Sequence, residues 1–244
     1  MSWRITWATA KRVLTQLSHD HRTVALLILV PSLLMVLLRF VFDDDAIFDS
    51  VGLPLLGVFP LIIMFLITSV AMLRERTSGT LERLLTTPMH KLDLLLGYGI
   101  AFAVAAALQA AVATGTAYLL LGLDTQGAWG WVVGVAVGNA VLGMALGLFV
   151  SAFARSEFQA VQFMPAIVLP QFLTCGLLIA RDQMAGWLEA ISNVLPMSYA
   201  VDGLKQIGTQ AEVSGTLVRD LTVVFGATVI ALGLGALTLR RRSD

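Results

Sequence analysis

The sequence is poor in charge and in cysteine, and each shortage excludes classes of protein. Only 13% of its 244 residues are charged and 57% are hydrophobic, whereas about a quarter of the residues in a soluble domain are charged. The formal net charge is zero, which argues against a nucleic-acid partner because phosphate binding needs an excess of clustered Lys and Arg. The single cysteine, Cys175, excludes an intrachain disulfide and a thiolate metal cluster. The composition therefore indicates a membrane protein.

Sequence motifs for catalysis are also missing. The chain contains no GxxxxGK[ST] phosphate loop and no HExxH spacing, and its three histidines lie in polar segments. We therefore expect no enzyme activity, no metal site and no cofactor bound by this chain, so that another chain would have to hydrolyse any ATP that is used. The apolar runs carry no charge at mid-membrane, which counts against an ion-coupled secondary transporter, although that alternative stays open.

Six long stretches without charge predict membrane-crossing helices. They cover residues 23–38, 50–73, 94–123, 125–154, 158–180 and 221–239. A crossing needs about 20 apolar residues, and the first stretch reaches that length if it continues to Phe42 with Arg39 snorkelling. We predict an all-α integral membrane protein with six transmembrane helices in residues 23–240 and a short tail at 241–244.

The placement of basic residues predicts the orientation of these helices. The sequence has 16 Lys and Arg residues, and only Arg39, Arg181, Lys205 and Arg219 fall on one side of the predicted bilayer. By the positive-inside rule, both termini and the segment 74–93 are expected in the cytoplasm, and the segment 182–220 is expected outside.

Two segments outside the predicted spans have helical periodicity. Near the amino terminus the apolar residues at helical spacing are Trp3, Trp7, Ala10, Leu14 and Leu17. They predict an amphipathic helix within residues 1–22 that lies in the cytoplasmic membrane interface. Before Pro196 the corresponding residues are Met184, Trp187, Leu188, Ile191 and Leu195. They predict an outer re-entrant helical segment, and this segment is either a lid over a pathway or a piece of interfacial packing.

Small and amide residues inside the predicted spans suggest close packing and a polar surface. Glycines recur in the fourth span at Gly130, Gly134, Gly138, Gly143 and Gly147, a pattern that lets helix backbones approach closely. In the fifth span Gln159 and Gln162 share a face and Gln171 points roughly the opposite way. Interhelical hydrogen bonding and a polar route both account for these amides.

The densest polar segment, RERTSGTLERLLTTPMHKLDLLLGY at residues 74–98, separates the second and third predicted spans. Ser78 or Gly79 can cap a short helix there and Pro88 can end it. Leu81, Leu84 and Leu85 would form one apolar stripe on this helix. The stripe predicts either a docking surface for a soluble partner or a connector that lies against the membrane.

This segment resembles the one that follows the second span in ABC type-2 permeases, the membrane subunits of ATP-driven exporters. The matching positions are Glu75, Gly79, Thr80, Leu81, Glu82, Leu84, Leu85, Thr87, Pro88 and Gly97. The resemblance extends over nearly the whole chain, including residues 154–178 and 194–205, and drug-resistance permeases of the daunorubicin-export type are the most similar.

The resemblance implies a bacterial plasma-membrane permease that pairs with a second permease subunit, as a homodimer or heterodimer, and with two ABC ATPase subunits that carry ATP and Mg. Residues 78–88 would be the coupling helix, with the ATPase-coupling residues Glu75, Gly79, Thr80, Leu81, Glu82, Leu84, Leu85 and Pro88. The expected substrate is an amphipathic drug or lipid-like molecule. A scaffold or sensor subunit that moves nothing remains an alternative.

In the relatives, the second and fifth spans line the route between the two halves of the transporter. That resemblance assigns the candidate substrate path to side chains of these two spans. They are Phe59, Phe65, Gln159, Gln162, Phe163, Met164, Gln171 and Phe172.

Overall fold

The computed structural model of the chain describes residues 2–78 and 91–238. Within these residues the chain is built from α-helices, with one 3₁₀ turn at Arg181–Gln183 and no strand. The helices are α1 (Trp3–His19), α2 (His21–Val41), α3 (Asp45–Thr77), α4 (Lys91–Leu120), α5 (Trp129–Val150), α6 (Glu157–Thr174), α7 (Gly186–Ser192), α8 (Pro196–Thr209) and α9 (Gly215–Thr238). The predicted all-α class is confirmed.

Five of these helices are long and apolar enough to cross a membrane: α2, α3, α4, α5 and α9. The helices α2, α5 and α9 have 21, 22 and 24 residues, so each spans the roughly 30 Å hydrocarbon core at 1.5 Å per residue. The longest, α3, has 33 residues and remains helical through Pro54 and Pro60. The chain is therefore a multi-pass membrane protein.

The fifth predicted span is shorter in the structure than the sequence suggested. The prediction extended to residue 180, but α6 has 18 residues and ends at Thr174. Gly176 follows with φ +86°, a left-handed conformation that glycine adopts without steric cost, and it turns the chain away from the helix axis. A helix that continued to residue 180 would therefore be six residues longer than the helix observed.

The core of the bundle lies where α3 packs against α5. A Cβ at Gly143 would overlap the carbonyl oxygen of Leu61, and one at Gly147 would lie 2.5 Å from the carbonyl oxygen of Phe65. Only glycine permits this approach, because any side chain would push the two backbones apart. The buried Asn139 amide adds a 2.9 Å hydrogen bond to the carbonyl oxygen of Gly57.

The glycine pattern of the fourth span is thus only partly used for packing within the subunit. A Cβ at Gly130 or Gly134 would meet nothing within 4 Å, and a Cβ at Gly138 would meet only the Val224 side chain, at 4.0 Å. Gly130 and Gly134 make no close approach to another described helix, because both are exposed on a face of α5 that the subunit leaves uncovered.

The predicted amino-terminal helix is present as α1, but its buried face differs from the predicted stripe. Thr6, Thr9, Ala10 and Val13 are buried, and α1 packs mainly on α4. A Cβ at Gly97 of α4 would lie 2.6 Å from Cβ of Thr9, so glycine at that position permits the contact.

The two tryptophans do not join that contact. Trp3 and Trp7 are 65% and 58% exposed. Indole rings at a helix surface are typical of the membrane interface.

The sequence predicted one helical segment before Pro196. The structure has two helices between α6 and α9: the short α7 before Pro196, and α8, which begins at Pro196. The short α7 covers only Gly186–Ser192, so that Met184 precedes it and Leu195 follows it. Pro196 begins α8 at a first-turn position, where its missing N–H costs nothing. One face of α8, with Met197, Val201 and Leu204, is buried in the core.

Candidate functional site

A cluster of polar side chains lies at the end of the bundle where α3 ends and α4 begins. Glu75 near the end of α3 is only 7% exposed. Its Oε1 lies 3.6 Å from Nη2 of Arg12 on α1, and Arg12 donates a hydrogen bond to the Tyr98 hydroxyl of α4. The guanidinium also lies 5.7 Å from the centroid of the Tyr98 ring, within cation–π range. Three helices therefore meet at Glu75.

A second polar contact ties α1 to α4 at the same end. The backbone N–H of Ser2 donates to Oδ1 of Asp93 at 3.0 Å, and the Asp93 side chain is buried. Together with the packing of Thr9 on Gly97, this contact fixes α1 alongside the first turns of α4. The end of α3 at Glu75 and the start of α4 at Asp93 are thus both tied to α1.

An ion pair links the same end of α3 to α6. Arg74 donates from Nε to Oε1 of Glu157 at 2.7 Å and from Nη2 to Oε2 at 3.0 Å. This geometry is the bidentate fork that gives an Arg–carboxylate pair its directionality. Both side chains are more than half exposed, so the pair defines geometry more than it adds stability.

Most of the predicted coupling residues lie outside the described residues. Of the eight, Glu75 is placed by the structure, and Gly79, Thr80, Leu81, Glu82, Leu84, Leu85 and Pro88 fall between residues 78 and 91. Their role stays a prediction. What the structure places is the pair of helix ends that flank them, α3 at Thr77 and α4 at Lys91.

The predicted path residues on α3 have unequal exposure. Phe65 is fully buried in the large core cluster, whereas Phe59 is partly buried at the edge of the same cluster. Phe65 therefore presents no face to a substrate in this conformation. Its carbonyl oxygen lies instead in the close approach of α3 to α5 at Gly147.

The predicted path residues on α6 divide between its two sides. Phe163, Met164 and Phe172 are partly buried and pack against the core cluster that contains α3. Gln171 is only 4% exposed, and its Nε2 donates to the Ile167 carbonyl oxygen within the same helix at 3.2 Å. Burial thus places Gln171 inside the subunit.

The two remaining glutamines of α6 have different surroundings. Gln159 is partly buried and its Oε1 accepts a hydrogen bond from the backbone N–H of Arg155 at 2.9 Å. Gln162, by contrast, is exposed on the helix surface. Helical spacing places the two amides on the same face, but the Gln159 side chain also accepts a hydrogen bond from the backbone just before its own helix.

Sequence reasoning missed the apolar residues that surround Gln162 on the open face of α6. Phe158, Leu169 and Leu173 are 73%, 48% and 54% exposed, and Pro165 is also exposed. The sequence signal was present, because positions 158, 162, 165, 169 and 173 recur at helical spacing. We call these five residues the open face of α6.

A cavity of about 520 Å³ lies beside the Glu75 cluster, between α1, α2, α3 and α4. Its polar lining residues, Gln16, Asp20, Thr23, Arg74, Glu75 and Ser78, lie near the helix ends. Further along α2, α3 and α4 the lining is apolar, with Leu26, Leu66, Ile67, Val70, Ala71 and Phe102, and α1 adds Val13 and Leu17 beside Gln16. The cavity therefore has one polar end and one apolar end.

Asp20 connects α1 to α2 at the polar end of the cavity. Its Oδ2 accepts from the Thr23 hydroxyl at 2.6 Å and its Oδ1 accepts from the Thr23 backbone N–H at 3.2 Å. These bonds cap α2 and, with the hydroxyl contributing most, hold the pKa of Asp20 below its usual value. Asp20 is therefore ionised at neutral pH.

Comparison with known proteins identifies the family to which this arrangement belongs. The family model described as ABC-2 type transporter matches residues 4–207. The match runs from α1 through most of α8, and the chain belongs to the ABC-2 type transporter family.

Several relatives carry names that refer to multidrug transport or to drug resistance. The chain is 25% identical over 208 residues to the probable multidrug ABC transporter permease YbhS of Escherichia coli (strain K12), covering 84% of this chain and 55% of YbhS. It is 26% identical over 243 residues to the probable doxorubicin resistance ABC transporter permease protein DrrC of Mycobacterium tuberculosis (strain CDC 1551 / Oshkosh), covering 95% of this chain and 87% of DrrC.

A third relative extends the same pattern. The chain is 26% identical over 170 residues to the linearmycin resistance permease protein LnrN of Bacillus subtilis (strain 168), covering 68% of this chain and 43% of LnrN. The chain thus spans about half the length of YbhS and less than half of LnrN, whereas its alignment with DrrC covers most of both chains.

Proposed function

We propose that this chain is the membrane-spanning subunit of an ATP-driven exporter that moves amphipathic drugs or lipid-like molecules out of the cytoplasm or inner leaflet. The observation that carries the proposal is the family match over residues 4–207. Relatives named as multidrug and doxorubicin resistance permeases support the drug-export class.

In this proposal ATP is hydrolysed by partner subunits and not by this chain. ATP and Mg bind to a separate ABC ATPase subunit, present in two copies, and a second permease subunit completes the membrane part as a homodimer or heterodimer. The absence of a GxxxxGK[ST] motif from the sequence supports this division.

The proposal also includes a sixth crossing by α6. An 18-residue helix is about 27 Å long at 1.5 Å per residue, slightly short of the hydrocarbon core of about 30 Å. Residues 175–180 would complete the passage. Six crossings place both termini on one side, and the distribution of Lys and Arg favours the cytoplasm for that side.

In this proposal the Glu75 cluster transmits movement of the coupling segment. Closure of the ATPase pair would displace residues 78–88, and the ends of α3 and α4 would follow. Because Arg12 contacts both Glu75 and Tyr98, α1 would move with them, and the Arg74–Glu157 pair would carry the movement to α6. Binding of ATP would thus shift the equilibrium between inward-open and outward-open permease.

The open face of α6 is the part of the proposed path best placed to meet a substrate or the second permease. It combines an exposed amide, Gln162, with apolar neighbours such as Phe158 and Leu169. Amphipathic molecules need that mixture of surfaces. Phe59 would contribute at the edge of the core, and Phe65 would support the path from within.

The test is the ATPase activity of the chain reconstituted in lipid vesicles with its candidate ATPase subunit. We expect amphipathic compounds of one class to stimulate hydrolysis, and we expect Leu84→Asp to abolish stimulation and co-purification of the ATPase, because a charge would interrupt the predicted apolar stripe. The change should leave membrane insertion intact.

Thr86→Asp is the matched control, since helical spacing places position 86 on the side opposite Leu81, Leu84 and Leu85. Co-purification should survive in that variant. If the ATPase co-purifies with the Leu84→Asp variant as it does with the unchanged chain, the apolar stripe is not the docking surface. If the complex assembles normally but no compound stimulates ATP hydrolysis, the scaffold or sensor alternative is favoured.

A further inference from the structure

The cavity beside Glu75 has the features of a ligand site that is separate from the proposed path on α3 and α6. We propose that it binds the protonated amine of an amphipathic molecule at Glu75 and Asp20 and the apolar body of that molecule against Leu26, Leu66 and Phe102. This inference rests on the proposed function, and it names the chemical class that would enter the exporter.

The size of the cavity suits an amphipathic molecule. About 520 Å³ falls within the range of roughly 300 to 1,000 Å³ that small-molecule sites occupy. On α2, α3 and α4 the polar lining residues lie at the helix ends and the apolar ones about one to three turns further along, while α1 contributes Val13 and Leu17 beside Gln16. A molecule with one polar head and one apolar body therefore matches the lining of α2, α3 and α4 with its head toward Glu75 and Asp20.

Glu75 gives the polar end its preference for a donor. Its side chain is 8% exposed, and its Oε2 is buried without a hydrogen-bond partner among the described residues. A buried carboxylate oxygen without a partner is costly. A small rotation of the side chain toward the cavity would let Oε2 accept from an N–H of the ligand and remove that cost.

The charges around the cavity favour a cation. Asp20, Glu75 and Arg74 line it. Arg12 lies 3.6 Å from Glu75, and Arg74 is occupied by its two bonds to Glu157. Of these five described groups three are carboxylates and two are guanidiniums, an excess of one negative charge, and Arg74 attracts the Asp20 carboxylate from beyond ion-pair distance. A protonated amine neutralises that excess, whereas an anionic head group would add to it.

Two sources supply this chemistry: a cationic drug that partitions into the membrane, and a lipid with an amine head group. Both present an N–H donor with positive charge above an apolar body. The experiment therefore uses a simple probe for the shared chemistry and then varies the lipid.

The test measures protection of an introduced thiol in the full chain, reconstituted in phosphatidylcholine nanodiscs without any ATPase. Leu26→Cys places the thiol in the cavity lining, and Leu29→Cys places it on the same helix outside that lining. Leu26 and Leu29 are 56% and 63% exposed on the surface of α2, and the labelling rate of each without amine serves as its own baseline. The native Cys175 is buried and contributes little labelling.

We expect N,N-dimethyldodecylamine, protonated at neutral pH, to slow N-ethylmaleimide labelling at Leu26→Cys and not at Leu29→Cys. Dodecanol, with the same chain and no charge, should protect neither. Glu75→Gln should raise the half-protecting amine concentration about tenfold, as loss of a charge-assisted hydrogen bond predicts. Asp20→Asn should raise it by a smaller factor, while the asparagine still caps α2.

Lipid composition separates the two sources. If phosphatidylethanolamine in the nanodisc protects Leu26→Cys without added amine, a lipid head group is the ligand; if it does not, a membrane-partitioning amine is. Equal protection by dodecanol and the amine would overturn the proposal, as would unchanged half-protecting concentrations in both folded carboxyl variants. Because no ATPase takes part, that result would leave the exporter proposal standing, and a failure of ATPase stimulation would leave the binding result standing.

Discussion

Helices α3 and α6 pack side by side, yet they differ in how much of their surface the subunit covers. In α3, 17 of 33 residues are buried, whereas in α6 only four of 18 are buried. The difference follows from their neighbours: α3 contacts α2, α4, α5, α6 and α8, while α6 packs mainly on α3 and more lightly on α7 and α8. The comparison shows that α3 organises the subunit and that α6 presents the surface available to other molecules.

The largest effect is expected from breaking the approach of α3 to α5. Gly143→Leu would drive a side chain into the Leu61 backbone and should destabilise the fold by about 3 kcal/mol or more. Gly134→Leu on the same helix meets nothing within 4 Å and should be tolerated. Thermal unfolding of the detergent-purified variants measures both effects, and equal midpoints would contradict the assigned role of Gly143.

A second effect compares one phenylalanine from each helix. Phe65→Ala should cost about 3 kcal/mol, the lower end for a buried phenylalanine, because lipid rather than water surrounds the separated helices. Phe158→Ala on α6, at 73% exposure, should change stability by less than about 0.5 kcal/mol. A similar loss in both variants, measured by thermal unfolding, would mean that α6 is covered within the subunit after all.

The glutamines of α6 test the same comparison on a finer scale. Gln159→Leu removes the bond to the Arg155 N–H and should cost about 1 kcal/mol of stability. Gln162→Leu removes no described hydrogen bond and should leave stability unchanged. It should, however, shift the ranking of stimulating compounds by about fivefold, the value of one lost hydrogen bond.

Two measurements separate these effects: the unfolding midpoint, and ATPase stimulation across a panel of amphipathic compounds. Stability losses of equal size in both variants, with unchanged compound ranking, would assign the two amides to packing.

The smallest effect is expected at the ion pair between the two helices. Arg74→Gln and Glu157→Gln should each cost less than about 1 kcal/mol, because both side chains are more than half exposed and screened by solvent. A double-mutant cycle isolates the coupling between them. A coupling energy above about 2 kcal/mol would contradict a solvent-screened pair and show that it contributes substantially to holding α6 against α3.

The candidate path residues show a property that the sequence pattern does not reveal, namely which of them are buried. Phe59 and Phe65 have the same residue type in the same apolar run, so sequence pattern cannot distinguish them. Only the position of α5 shows that Phe65 is enclosed and that Phe59 lies at the edge. Helical spacing alone predicted that Gln171 points away from Gln159 and Gln162, and its burial agrees with that prediction.

The glycines of α5 make the same point about spacing. Gly134 and Gly143 both fit a small-residue pattern, but the partner backbone lies beside only one of them. Sequence identifies where a close approach is permitted. The crossing point of α3 and α5 decides where it occurs.

The sequence by itself determined the all-α class, the apolar helices, the amino-terminal helix and the family, because hydrophobic length and the segment at 74–98 are local properties of the chain. Tertiary structure decided the rest: the meeting of Arg12, Glu75 and Tyr98, the open face of α6, and the cavity with one polar and one apolar end. The contact of Arg12 with Tyr98, for example, joins residues 86 positions apart. Such contacts depend on how helices pack together, and no local pattern encodes that packing.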